Sequence, residues 1–121
     1  MGDLAIGVDL GGTAVKVGLV DSGGHLVSSV QVATEAAAGL NHVIDQILDG
    51  IQQVASSSES LSGIGIGAPG SVSLDRTTVT APPNFPGWGE LDLSRTIRRR
   101  IDIDLPVTVD NDANVAALGS A

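Results

Sequence analysis

Asp9, Gly11, Gly12, Thr13 and Lys16 stand within one short stretch, Asp9-Leu10-Gly11-Gly12-Thr13-Ala14-Val15-Lys16. Two adjacent glycines free the backbone to turn its N–H groups toward an anion, and the Thr13 hydroxyl adds a donor at the same place. Asp9 is suited to hold a hydrated Mg2+ beside a triphosphate. A plain Gly-Gly hairpin with a surface carboxylate would use the same glycines; the flanking Asp, Thr and Lys favour the phosphate site. A second segment, Gly65-Ile66-Gly67-Ala68-Pro69-Gly70, precedes Pro82-Pro83-Asn84-Phe85-Pro86-Gly87-Trp88. Small residues at a strand end let a ligand approach the backbone. An Asn in a proline-stiffened loop offers a donor and an acceptor to a hydroxylated ligand at low entropic cost. Phe85 and Trp88 are expected to supply an apolar wall beside it; the plainer reading is a structured loop and nothing more.

The third segment runs Pro106-Val107-Thr108-Val109-Asp110-Asn111-Asp112-Ala113-Asn114-Val115-Ala116-Ala117-Leu118-Gly119. A lone carboxylate between a strand and a helix is often only an N-cap, and that reading applies to Asp110 and Asn111. Here Asp110, Asn111, Asp112 and Asn114 cluster between a β-branched run and an alanine-rich one. Sites in open α/β sheets gather outside the carboxyl ends of strands, where this cluster would lie.

The elements that must position these segments follow from periodicity. Leu4 to Leu10 reads as a buried strand, Ala14 to Val20 as a second with Val15, Val17 and Leu19 alternating, and His25 to Ala33 as a third. Short turns join the three into an antiparallel meander. Leu40, Val43, Ile44, Ile47, Leu48, Ile51, Val54 and Ala55 then repeat at helical spacing. Ile64 to Ala68 is a short strand. Ser71 to Glu90 is loop-rich, with room for a short strand through Thr77 to Thr80. A helix is expected from Leu93 to about Ile101 with Asp92 as its N-cap. Pro106 to Asp110 is a last strand, and a helix begins at Asn111 and Asp112. The order βββαβαβα is that of the ribonuclease-H-like, actin-like ATPase fold: an α/β domain on a mixed five-stranded sheet.

Composition bounds the partners. The chain has 121 residues, a domain's length, and 42% hydrophobic content with only two aromatics, so aliphatic residues must build the core. Its net charge is −8 and Lys16 is its single lysine. That balance sets nucleic acid and anionic lipid aside as partners. It also disfavours a nuclease of the same strand order, which would need a basic groove. The run Arg98-Arg99-Arg100 reads as solvated cations closing a helix C-terminus. There is no cysteine, hence no disulfide scaffold. Without a basic leader or an apolar run of about 18 residues, a soluble cytoplasmic protein is expected.

Together, from about Ala5 to Gly119, these segments resemble the ROK family, specifically its glucokinase-like members. The likeness is strongest at Asp9 to Lys16, at Gly67 to Gly70, at Asn84 with Gly87-Trp88, and at Asn111 to Gly119. It implies that Asp112 is the catalytic base toward a sugar hydroxyl attacking the γ-phosphate of ATP. Asn84 and Asn111 would hydrogen-bond the sugar, with Gly70 in the loop near it. Asp9, Gly11, Gly12, Thr13 and Lys16 would form the phosphate-binding turn, with Mg2+ at Asp9. The family's zinc site and most of its nucleotide pocket belong to a second half. Residues 1–121 therefore read as the N-terminal sugar-binding domain of a two-lobed kinase, inactive alone and homodimeric at full length. Two departures stand out: Gly119-Ser120 where the family often has Gly-Glu, and no helix-turn-helix ahead of the first strand, which argues against a repressor. A sugar-binding or interaction module without catalysis is the alternative. The identity of the sugar and the choice between ATP and polyphosphate stay open.

Overall fold

The computed structural model describes residues 4–55, 61–101 and 105–111. Strands β1 (Leu4–Leu10), β2 (Ala14–Val20) and β3 (Leu26–Ala33) form the expected antiparallel meander. β3 begins one residue later than its apolar pattern suggested. The Asp21 carboxylate accepts hydrogen bonds from the N–H groups of Gly23 and His25, 2.9 Å each, and keeps His25 in the turn. A single 3-10 turn, Ala36–Ala38, leads into α1 (Leu40–Val54). β4 (Leu61–Ala68) follows, parallel to β1. After α2 (Leu93–Arg100), β8 (Val107–Asn111) runs parallel to β4, giving the sheet order β3-β2-β1-β4-β8.

Register explains why the sheet has two unlike faces. Val30, Val17, Val8, Ile66 and Val109 form one row across all five strands. Period-two alternation puts that row and its like-facing neighbours against α1 and α2, where Val8, Ile66 and Val109 are wholly buried. The next row, Gln31, Lys16, Asp9, Gly67 and Asp110, faces the other way. One strand therefore supplies both core and chemistry. α2 starts as expected: the Asp92 carboxylate accepts from Arg95 N at 2.8 Å, and the three arginines lie exposed in its last turn. No helix among the described residues is long and apolar enough to cross a membrane.

Two expectations for the middle of the chain need correcting. The stretch after β4 contains a second, three-stranded antiparallel sheet of β5 (Ser71–Val72), β6 (Thr78–Thr80) and β7 (Glu90–Asp92). The short strand expected through Thr77 to Thr80 is β6, while β5 and β7, of two and three residues, leave no readable periodicity. Phe85 and Trp88 do not wall a ligand site. They are 2% and 5% exposed, with ring centroids 4.7 Å apart, and belong to the core under the proline-rich loop.

Gly50 sets how closely α1 lies on the sheet. A Cβ there would come within 2.6 Å of Val17 Cγ2 and 3.3 Å of Val17 Cβ. Gly50→Ala should therefore destabilise the fold by about 1–3 kcal/mol through overpacking. Set against the roughly 1 kcal/mol that alanine adds to a helix, the net loss should be up to about 2 kcal/mol. Urea unfolding checks it: the midpoint should fall, and a raised midpoint would mean that α1 can lift off β2 at little cost.

Candidate functional site

The carboxyl ends of β1, β4 and β8 lie side by side, because these strands are parallel neighbours. Asp9 is the register partner of both Lys16 and Gly67, and Gly67 is the partner of Asp110. Adjacent strands are about 4.8 Å apart, so the Asp9 and Asp110 backbones are separated by about 10 Å, with a side-chain-free residue between them. Asp9 and Lys16 are both half-buried.

Among the described residues, hydrogen bonds tie the turn between β1 and β2 to Ala14 and Thr34. Gly11 N–H donates to Ala14 O at 3.0 Å, and any Cβ on Gly11 would sit 2.9 Å from that same oxygen. Thr34, just past β3, donates its hydroxyl to Gly11 O at 2.7 Å and its N–H to Thr13 O at 3.0 Å. Among the described residues no carbonyl accepts the N–H of Gly12 or of Thr13. An anion-binding turn needs such outward N–H groups beside a cation and a hydroxyl.

Asn84 reaches this turn from a distant part of the sequence. Its backbone is left-handed, with φ of 70°, inside the loop that joins β6 to β7. Its side chain lies over Gly12, where a Cβ would be 2.8 Å from Asn84 Nδ2 and 3.1 Å from Asn84 Cγ. Gly70, also left-handed with φ of 89°, abuts the base of the same loop, 3.0 Å from Pro82 Cα by the same measure. Beside Gly70 opens a cleft of about 420 Å3 lined by Gly70, Ser71, Val72, Ser73, Leu74, Arg76 and Asp110. Asn111 is the register partner of Ala68 at the end of β8. Asp112 and the helix expected after it lie outside the described residues.

Two residues join the site that the sequence did not single out, Thr34 and Arg76. Arg76, left-handed with φ of 61°, accepts Val109 N–H on its carbonyl at 2.8 Å and places Nη1 3.5 Å from Asp110 Oδ2. It thereby ties the β5–β6 hairpin to the end of β8. Hydroxyls of Ser73 and Thr77 close that hairpin on Asp75 and hold its carboxyl below the usual carboxylate range. In sequence Arg76 is one more turn residue, and Thr34 one more polar residue after a strand.

Asp9 suits the expected Mg2+. That cation takes one or two carboxylates and keeps several waters beside phosphate oxygens. The described residues include no group of three or more His, Cys, Asp or Glu placed to hold a metal.

Residues 5–121 match the ROK family. A glucokinase of Thermotoga maritima is 39% identical over 114 residues, covering 94% of this chain and 35% of its own length. A putative xylose repressor of Caldicellulosiruptor sp. is 30% identical over 120 residues, covering 96% of this chain and 29% of the repressor. Among solved structures, a ROK family glucokinase from Streptomyces griseus in complex with glucose and AMPPNP aligns with a TM-score of 0.84 and 37% identity. That alignment covers 97% of this chain and 36% of the other. The chain thus spans about a third of the length of the glucokinases it matches.

Proposed function

The chain belongs to the ROK family, and from that premise we propose that the whole protein is a sugar kinase passing the γ-phosphate of ATP to a hexose hydroxyl, with glucose the favoured hexose. The observation that supports the reading is Asn84 seated on Gly12: a side chain with a donor and an acceptor lies against a glycine turn whose own N–H groups suit an anion. The Streptomyces griseus relative, solved with glucose and AMPPNP, supports the same pair of ligands.

In this reading the outward N–H groups of Gly12 and Thr13, with Lys16, bind the phosphates of ATP. Asp9 would hold Mg2+, which would neutralise charge on those oxygens. Asn84 and Asn111 hydrogen-bond the sugar, and Gly70 keeps the adjoining loop close. Asp112 accepts the proton of the attacking hydroxyl and orients it in line with the phosphate. Such a reaction asks the protein mainly for positioning and charge neutralisation. The division of labour across the sheet end supplies both.

Residues 1–121 act here as the sugar-binding domain, with most of the nucleotide contacts on a second lobe. A coupled assay of ADP release tests this on the intact protein and on the 121-residue chain. The intact protein should turn over glucose, and the chain alone should be inactive. Full turnover by the isolated chain would show that the ATP site has been misplaced. The similarity to a xylose repressor favours a second reading, a sugar sensor without catalysis. Calorimetry showing glucose bound by an intact protein that never releases ADP would decide for it.

A further inference from the structure

We propose that Thr34 is a positioning residue for the phosphate-binding turn, setting the direction in which the Gly12 N–H points. This rests on the kinase reading above and extends it to a residue outside the glycine motif. A trans peptide holds its C=O and the next residue's N–H antiparallel in one plane, and none of the peptide bonds in the described residues is cis. The Thr34 hydroxyl draws Gly11 O toward itself at 2.7 Å. The Gly12 N–H, in the same peptide unit, must then point away from Thr34, toward the side left open. The Thr34 N–H fixes Thr13 O at 3.0 Å in the same way and so sets the peptide that follows Thr13. Glycine at positions 11 and 12 makes this turn free to rotate; Thr34 removes that freedom before any ligand arrives.

Thr34 is itself held. Gln46 of α1 donates Nε2 to Ala33 O at 2.8 Å and accepts Glu35 N–H on Oε1 at 3.0 Å, so one side-chain amide clamps both neighbours of Thr34. The turn is thereby referred to a helix packed on the opposite face of the sheet. A rigid donor array binds an anion better than a mobile one because less ordering remains to be done on binding.

The test uses the intact protein and three forms: wild type, Thr34→Val and Thr34→Ser. Valine keeps the shape and the backbone N–H but deletes the hydroxyl. Its KM for ATP should rise about fivefold, the effect of one lost hydrogen bond. Its calorimetric affinity for glucose without nucleotide should match wild type, and its melting temperature should fall by no more than about 2–4 °C, the cost of the same hydrogen bond to folding. Serine should restore the ATP KM. An unchanged ATP KM in Thr34→Val overturns the proposal, as does an equal loss for ATP and glucose, which marks a general structural defect. If wild type neither transfers phosphate nor binds ATP by calorimetry, the kinase reading falls and takes the proposal with it. An active wild type with an indifferent valine variant sinks the proposal alone.

Discussion

Asp112→Asn in the intact protein should lower kcat for glucose phosphorylation by about 100- to 10,000-fold, the range expected when a positioned general base is lost. Asparagine keeps the size and can still hydrogen-bond the sugar hydroxyl, so glucose affinity by calorimetry should change only a few-fold. A large kcat loss with little change in binding is the mark of an interaction made mainly in the transition state. The transition state of phosphoryl transfer is loose, and the hydroxyl proton leaves late. A carboxylate of ordinary basicity can therefore serve, with part of its effect coming from aiming the oxygen. Retention of activity within a few-fold would sink the assignment. Attention would then move to Asp110, whose carboxylate Arg76 already holds at the cleft edge. Asp110→Asn would in that case be the variant that loses turnover.

The parts of this site that sequence made legible share a physical cause. Alternation in Val15, Val17 and Leu19 fixes a strand and its inward face, and the helical spacing of Val43, Ile44, Ile47 and Ile51 fixes α1; all of these are buried as the pattern requires. Strand polarity then puts Asp9 and Asp110 at the same end of the sheet, so locating the site needed little beyond the order of elements. What stayed hidden depends on contacts between distant segments. Thr34 is known to hold the turn only once β3 lies beside β2. Arg76 matters only because its hairpin folds back onto β8. Phe85 and Trp88 looked available to a ligand because their loop is rich in proline and glycine, yet the core needed the two largest apolar side chains the chain possesses. In a protein with so few aromatics, burial has the stronger claim on them.

Gly12→Ala tests the contact on which the functional reading turns, and it should weaken glucose binding by about 10- to 100-fold, the loss of one or two hydrogen bonds to the sugar. The added Cβ would lie 2.8 Å from Asn84 Nδ2 and 3.0 Å from Asn84 Cβ, so Asn84 has to move. Its main chain has little room to comply. Phe85 N–H is bonded to Pro82 O at 3.3 Å, Pro82 is buried, and the Phe85 ring is locked in the core. Rotation about Cα–Cβ carries the Asn84 amide away from the turn and from any sugar it grips, and the Cβ–Cβ contact needs a shift of a few tenths of an ångström besides. Gly12 does not itself adopt a left-handed φ, so the penalty is the clash and not a forbidden backbone. ATP should weaken as well if, as proposed, the N–H of the same residue binds phosphate. A double-mutant cycle separates the two routes. In an Asn84→Ala background the amide that would grip the sugar is already gone and only the Cβ contact remains, so most of the effect of Gly12→Ala on glucose affinity should disappear while its effect on the ATP KM persists. Strictly additive losses for glucose would mean that Gly12 and Asn84 act on the sugar independently. Wild-type glucose affinity in both single variants would remove Asn84 from the sugar site altogether.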